Sequence, residues 1–147
     1  MPNPTAAILI IGDEILSGRT QDTNSHYLAR ELTTIGIDLR EVRVVPDERL
    51  AIVGAVNDLR ARCDDVFTSG GIGRTHDDIT ADAIAAAFGV AIGVRDDARA
   101  VLAAHYARSG IEFNAARQRM ARVPEGATLI DNPISAAPGF TLGNVHV

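Results

Sequence analysis

Hydrophobic residues in the first half of the chain follow an alternating order of strands and helices. The unbroken apolar run at residues 6–11 predicts a strand covered on both faces, as in a parallel sheet. Leucine and isoleucine at helical spacing predict a helix over residues 24–35, and Gly36 stands where such a helix ends. Residues 37–45 alternate apolar and charged side chains, which predicts a strand near the edge of the sheet.

The second half of the chain continues the same alternation. Apolar stripes at helical spacing predict helices over residues 50–62, 80–88, 96–107 and 114–122. Short apolar runs predict strands at residues 66–68, 127–130, 140–142 and 145–147. A β-α-β-α-β-α order requires right-handed crossovers, because parallel strands are joined in that hand. The predicted fold is therefore one α/β domain over residues 1–147, a three-layer αβα sandwich around a mostly parallel sheet.

Three polar segments follow predicted strands, at the end of the sheet where such folds bind ligands. Gly12, Asp13 and Glu14 follow the first strand, and Asp13 and Glu14 are carboxylates that a metal ion or a ligand amide could meet there. Asp47 follows the second strand. Its alternative role is to cap the next helix, because Asp is a favoured N-cap residue.

A glycine-rich loop follows the third predicted strand. Ser69, Gly70, Gly71 and Gly73 allow backbone N–H groups to approach an anion closely, although a tight strand-to-helix turn uses glycines in the same way. The spacing is not that of a dinucleotide-binding fingerprint.

Thr75, Asp77 and Asp78 come directly after the glycines. Two carboxylates beside a phosphate cradle repel phosphate unless a cation lies between them. The pattern therefore predicts a divalent cation, Mg²⁺ or a similar ion, beside these two carboxylates. The alternative is that Asp78 only caps the helix that follows.

Composition and charge narrow the classes of function. Apolar residues make up 46% of the 147 residues, enough for a real core, and the net charge of −5 argues against broad nucleic-acid binding. All 14 cationic side chains are arginine, which excludes a P-loop lysine and a Schiff-base lysine. No apolar run reaches the roughly 20 residues of a membrane span, and no signal peptide is evident, so we expect a cytoplasmic protein without a membrane partner.

The motifs also resemble those of a known family. In order, they are Gly12-Asp13-Glu14, Asp22-Thr23-Asn24, Ser69-Gly70-Gly71-Ile72-Gly73, Thr75-His76-Asp77-Asp78-Ile79-Thr80, Asn132-Pro133 and Pro138-Gly139-Phe140. This set resembles the molybdopterin-binding (MoaB/Mog) domain superfamily, and within it the N-terminal domain of the CinA competence/damage-inducible proteins. The resemblance covers almost the whole chain.

The resemblance implies a domain that binds a small phosphorylated ligand, a nucleotide or a pterin, at the strand ends. CinA-type members resemble metal-dependent pyrophosphatases that act on ADP-ribose. In the molybdopterin branch of the superfamily two aspartates are important, and by motif they correspond here to Asp47 and Asp78, as catalytic residues. The metal would be held by Asp78 and Asp13. The ligand would contact Gly12, Asp13, Glu14, Ser69, Gly70, Gly71, Gly73 and Thr75.

Two other functions remain open at this point. The domain could hold a molybdopterin-like ligand without hydrolysing it, as Mog-type members do, or it could form oligomers around a vestigial site. The resemblance also implies a homo-oligomer, a dimer or a trimer, and a family sequence that continues past Val147.

Overall fold

The computed structural model describes residues 2–70, 79–130 and 139–147, and a six-stranded sheet forms its centre. In chain order its elements are β1 Thr5–Ile11, α1 Asp13–Leu16, α2 Asn24–Thr34, β2 Asp38–Val45, α3 Arg49–Arg62, β3 Asp65–Ser69, α4 Ile79–Phe88, β4 Ile92–Val94, α5 Asp96–Ser109, α6 Ala115–Gln118, β5 Arg122–Pro124, β6 Thr128–Ile130, β7 Gly139–Leu142 and β8 Val145–His146. A 3₁₀ turn, Arg119–Ala121, connects α6 to β5. None of the helices in these residues is long and apolar enough to cross a membrane.

The sheet is mostly parallel, as the sequence predicts. Its strand order is β2-β1-β3-β8-β7-β6, with β1 parallel to β2 and β3, and β3 parallel to β8. Only β7 runs against its two neighbours. The predicted edge position of β2 is confirmed. A separate antiparallel ribbon joins β4 to β5.

Helices cover both faces of the sheet, which makes three layers. Alternate side chains of β1 point to opposite faces because a strand has a period of two. Ala7, Leu9 and Ile11 pack in a core that includes buried residues of α3, α4 and α5. Ala6, Ile8 and Ile10 pack with Leu32 of α2 on the other face.

A β-bulge in β2 explains a shift in its hydrophobic pattern. Ala6 pairs with Leu39 but Ala7 pairs with Glu41, so Arg40 is the extra residue. The apolar alternation shifts phase at the same place, where Arg40 and Glu41 stand side by side as consecutive polar residues. The bulge lets Leu39 and Val44 both pack against the cluster beneath α2.

The predicted helix over residues 114–122 is wrong in its second half. The helix α6 ends at Gln118, a 3₁₀ turn follows, and Arg122 opens β5. Arg122 is held there by a two-pronged ion pair with Asp82 of α4. The strands β4 and β5 and the one-turn helix α1 were not predicted. Gly93 interrupts β4, Pro124 ends β5 and the polar pair Asp13-Glu14 begins α1, so none of them shows an apolar run of its own.

Four charged side chains form a network across β2 and α3. Glu41 accepts from Arg43 at 2.6 Å and from Arg62 at 2.7 Å. Asp58 accepts from Arg43 at 2.8 Å and from Arg62 at 3.3 Å. These arginine contacts hold the pKa of the Glu41 and Asp58 carboxyl groups below their usual range.

This network predicts how the free energy of unfolding depends on pH. A carboxyl group whose pKa is lowered on folding stabilises the fold above its unfolded-state pKa, and that contribution is lost as pH falls through the folded-state pKa. We expect Glu41→Gln to lower the free energy of unfolding by no more than about 1 kcal/mol at pH 7, because such pairs are partly solvated. Urea titrations at pH 7 and at pH 3 should show this difference shrinking in acid. An equal difference at both values would contradict it.

A close backbone contact joins the carboxyl ends of β1 and β3. Gly70 follows β3 with a φ of +87°, and a Cβ at this position would overlap the carbonyl oxygen of Ile11. Positive φ is costly for any residue with a side chain. Glycine is therefore required here by both the backbone conformation and the space.

We expect Gly70→Ala to lower the free energy of unfolding by about 1–3 kcal/mol, because the backbone of β1 must move to admit the methyl group. Gly54→Ala is a matched control. Gly54 lies inside α3, and a Cβ added there would meet open space. Alanine there should raise stability by about 0.5–1 kcal/mol through helix propensity. Denaturant unfolding of both variants checks the pair, and a neutral Gly70→Ala would show that the contact is not required.

Candidate functional site

The carboxyl ends of β1, β2 and β3 meet at one edge of the sheet. Ile11 at the end of β1 lies opposite Val45, and Ile10 lies opposite Ser69. The Gly12 N–H donates to the Val45 carbonyl at 3.1 Å, which extends the β1–β2 pairing one residue further. The polar segments that follow the three strands therefore begin side by side, as the predicted parallel sheet requires.

Asp13 and Asp47 are brought together at this edge. The backbone N–H of Asp47 donates to Asp13 Oδ1 at 3.1 Å. Asp13 is the first residue of α1, and the Oδ1 atom of Asp47 is buried. The helix α3 has Glu48 at its N-cap, one residue after Asp47, so the alternative that Asp47 caps this helix is not what the structure shows.

Glu14 lies next to Gly12 in a folded-back conformation. A Cβ added to Gly12 would lie 2.6 Å from Glu14 Oε1, so the carboxylate occupies the space that a side chain at position 12 would need. Within the part of the chain that the structure describes, the Glu14 carboxylate accepts no hydrogen bond and forms no ion pair. Gly12 itself has a φ of 165°, an extended backbone that any residue adopts.

The start of α2 is tied to the end of β3. Asn24 Nδ2 donates to Ser69 Oγ at 2.8 Å. Asp22 stabilises the first turn of α2, because its carboxylate accepts from both the backbone N–H and the hydroxyl of Ser25. Sequence analysis missed Asn24 as a partner of Ser69. The sequence signal for Asn24 was that it begins a predicted helix, soon after the polar segment that follows β1.

A cavity of about 160 Å³ lies between α1, α2 and the ends of β1 and β3. Sites for complete small-molecule ligands run to about 300–1,000 Å³, so this cavity has room for one part of a nucleotide or pterin. The lining residues are Ile10, Ile11, Glu14, Ile15, Thr20, Gln21, Asp22, Thr23, Asn24, Ser69 and Gly70.

Several predicted site residues lie outside the described residues. These are Gly71, Gly73, Thr75 and Asp78, together with His76, Asp77 and the Asn132-Pro133 motif. Their placement in the site stays a prediction. Those predicted residues that are described, namely Gly12, Asp13, Glu14, Asp47, Ser69 and Gly70, all lie at the edge formed by the three strand ends.

The prediction of a metal site can be compared with the metal-binding side chains that the structure describes. Across residues 2–70, 79–130 and 139–147, no group of three or more His, Cys, Asp or Glu side chains is arranged to hold a metal ion. Mg²⁺ in phosphate sites commonly uses only one or two carboxylates together with phosphate oxygens and water. Asp13 fits that pattern, because Asp47 uses only its Oδ1 and, among the described residues, its other oxygen accepts no hydrogen bond.

A family model described as a probable molybdopterin binding domain matches residues 7–147. Curated relatives match almost the whole of this chain. A protein from Pyrobaculum aerophilum is 42% identical over 135 residues, which is 92% of this chain and 51% of that protein. A CinA-like protein from Citrifermentans bemidjiense is 40% identical over 136 residues, 92% of this chain and 33% of that protein. The chain thus spans about half the length of the archaeal relatives that it matches.

Solved structures show the same fold. The crystal structure of the CinA protein from Thermoplasma acidophilum, described as of unknown function, superposes with a TM-score of 0.88 at 31% identity. The alignment covers 99% of this chain and 88% of that one. The tungsten cofactor synthesizing protein MoaB from Pyrococcus furiosus superposes at 0.57 with 19% identity over 98% of this chain and 84% of that one, a likeness of fold alone.

The resemblance predicted from the motifs is confirmed by the family model, the CinA-like relative and the CinA structure. The chain belongs to the probable molybdopterin-binding domain family, with a CinA-type arrangement of its strands and helices.

Proposed function

We propose that the edge formed by the ends of β1, β2 and β3 binds a phosphorylated nucleotide or pterin and hydrolyses its pyrophosphate bond with the help of a divalent cation. ADP-ribose is the model substrate, and its products would be AMP and ribose 5-phosphate. The observation that carries the proposal is the hydrogen bond from Asp47 N–H to Asp13 Oδ1, which joins two strand ends through a carboxylate.

Asp13, Ser69 and Gly70 each have a function in this proposal. Asp13 contributes a carboxylate oxygen to the cation, with Asp78 as the second protein ligand. The backbone at Ser69 and Gly70 begins the loop proposed to hold a phosphate, and Gly70 has a positive φ of +87°. A divalent cation at this place supplies Lewis-acid polarisation of the phosphoryl group and a more acidic bound water.

In this proposal Asp47 positions the Asp13 carboxylate and does not itself contact the cation or the ligand. Its N–H fixes one oxygen of Asp13, and this bond holds the carboxylate toward the strand ends. The family resemblance points to the same two positions, because the important aspartates of its molybdopterin branch correspond by motif to Asp47 and Asp78 in this chain.

A second function is favoured by the family description itself. The domain could hold a molybdopterin-like ligand without hydrolysing it. Incubation with ADP-ribose, FAD and molybdopterin, with and without Mg²⁺, separates the two. Release of AMP from ADP-ribose that requires Mg²⁺ supports hydrolysis, and tight binding of molybdopterin with no product supports the binding module. Neither binding nor product from any of the three would refute both.

Asp78 provides the sharpest mutational prediction. We expect Asp78→Asn to keep the melting temperature, because Asn is also a favoured cap residue, and to abolish Mg²⁺-dependent turnover or ligand binding. Asp96→Asn, at the exposed start of α5, is the charge-matched control and should keep both.

The capping alternative for Asp78 predicts the opposite result. Asp78→Asn would then be silent in activity, while Asp78→Ala would lose about 1 kcal/mol of stability. Melting curves and activity assays on the two Asp78 variants distinguish the roles. Wild-type turnover in Asp78→Asn would defeat the metal-ligand hypothesis.

We also propose that the chain forms a homo-oligomer, a dimer or a trimer. Exposed apolar side chains on separate elements, including Leu16, Tyr27 and Leu50, offer surface for such contacts. Light scattering at micromolar concentration should give a mass of two or three chains. A monomer mass would refute this.

A further inference from the structure

Thr80, in the first turn of α4, is a polar residue that is fully buried. Its side chain is 0% exposed, and no other polar or charged residue in the described part of the chain is buried to this degree. Its Oγ1 atom has no hydrogen-bond partner within residues 2–70, 79–130 and 139–147. Such a hydroxyl lowers the free energy of unfolding, because the hydrogen bonds that it makes to water in the unfolded chain are not replaced.

The position of Thr80 in α4 explains why the helix does not satisfy its hydroxyl. A threonine inside a helix commonly donates to the carbonyl oxygen one turn earlier. Thr33 of α2 does so, with its Oγ1 donating to the Ala29 carbonyl at 2.8 Å. Thr80 is the second residue of α4, so no carbonyl group of the helix itself lies one turn before it. The hydroxyl therefore remains a donor for a group outside the helix.

The end of α4 lies at the amino ends of the parallel strands. A Cβ added to Gly143 would lie 2.9 Å from the ring of Phe88, the last residue of α4. Gly143 comes directly before β8, whose first residue, Val145, pairs with Val66 near the start of β3. The start of the helix is about 15 Å away, at 1.5 Å per residue, and lies toward the carboxyl ends of the strands.

The buried face of α4 points into the core layer that ends at the candidate site. Ala83 and Ile84 are three and four residues after Thr80, so the three side chains lie on one face of the helix. Ala83 and Ile84 belong to the core cluster that includes Ile11 and Val45, the last residues of β1 and β2. Thr80 is one turn closer to the start of the helix, so its hydroxyl lies on the side of this layer where the strands end.

A hydroxyl that is fully buried acts on a ligand through another group. Hydroxyl groups donate most strongly to ionised acceptors, such as carboxylate and phosphate oxygens. Groups that donate to the oxygens around a bound metal ion fix the orientation of those oxygens and strengthen metal binding. The divalent cation of the proposed function would bring both kinds of oxygen to the strand ends, from the carboxylates of the chain and from the phosphates of the ligand.

We propose that Thr80 is a positioning residue of the candidate site, whose hydroxyl donates to an anionic oxygen bound to the divalent cation. The inference rests on the proposed function, which supplies the cation, and adds a residue that orients one of the oxygens around it. The hydroxyl lowers the stability of the domain alone and strengthens its binding of the cation. Thr80 therefore has opposite effects on stability and on cation binding.

Thr80→Val tests both effects, because it replaces the hydroxyl with a methyl group and keeps the branched shape of the side chain. In EDTA, we expect its melting temperature to lie about 2–4 °C above that of the wild type, because an unpaired donor leaves the core. The Mg²⁺ concentration for half-maximal hydrolysis of ADP-ribose should rise about tenfold or more, as when a metal ligand loses its partner. Thr80→Ser keeps the hydroxyl and should restore the Mg²⁺ requirement of the wild type.

Thr33→Val is the matched control, because it removes a helical hydroxyl whose partner is the Ala29 carbonyl. It should leave the Mg²⁺ requirement unchanged. The rise in melting temperature on titration with Mg²⁺ alone identifies the oxygen. A weaker response in Thr80→Val than in the wild type indicates a carboxylate of the chain. An equal response, with a raised Mg²⁺ requirement once ADP-ribose is present, indicates a phosphate oxygen.

The outcomes separate this inference from the proposed function. A wild-type Mg²⁺ requirement in Thr80→Val would overturn the inference and leave the proposed hydrolysis intact. A lower melting temperature of Thr80→Val in EDTA would show that the hydroxyl stabilises the domain alone, which also overturns it. If the wild type binds Mg²⁺ without hydrolysing ADP-ribose, the proposed reaction fails, and equal Mg²⁺ responses of the wild type and Thr80→Val would then overturn the inference. A wild type that shows neither hydrolysis nor a response to Mg²⁺ would refute both.

Discussion

Backbone pairing of β1 with two parallel neighbours is the constraint on which the rest of the structure depends. All seven residues of β1 are paired with β2, and five are also paired with β3. Six of its side chains are buried, on alternate faces, so both helical layers pack against this one strand. The positions of the three strand ends follow from its register, and the candidate site is built from the residues that come next.

The architecture could be predicted from the sequence because its principal elements are long and periodic. The strand at residues 6–11 and the helices at 24–35 and 50–62 are long enough for their apolar pattern to identify the type of element. The ribbon of β4 and β5 could not be predicted in this way. Its three-residue strands contain Gly93 and Pro124, and their pairing depends on contacts distant in sequence.

The candidate site was predictable in position but not in its internal contacts. Motifs after strands identified Asp13, Asp47 and Ser69, because parallel strands bring their carboxyl ends together. Sequence could not show that Asp13 accepts from the backbone of Asp47, or that Asn24 contacts Ser69 across 45 positions. These bonds depend on loop conformation, which local patterns do not determine. For Asp47, a capping role and a site role were equally consistent with the sequence alone.

The bulge at Arg40 bears on whether the open edge of the sheet at β2 can pair with a strand of another molecule. An edge strand exposes unpaired N–H and C=O groups, and two flat edges readily join into a continuous sheet between molecules. The bulge increases the local twist of β2, and charged Asp38, Arg40 and Arg43 lie along the same strand. Both features oppose strand addition at this side of the sheet. Any oligomer of the chain would then form through contacts between side chains. The bulge and the charges of β2 thereby disfavour edge-to-edge aggregation.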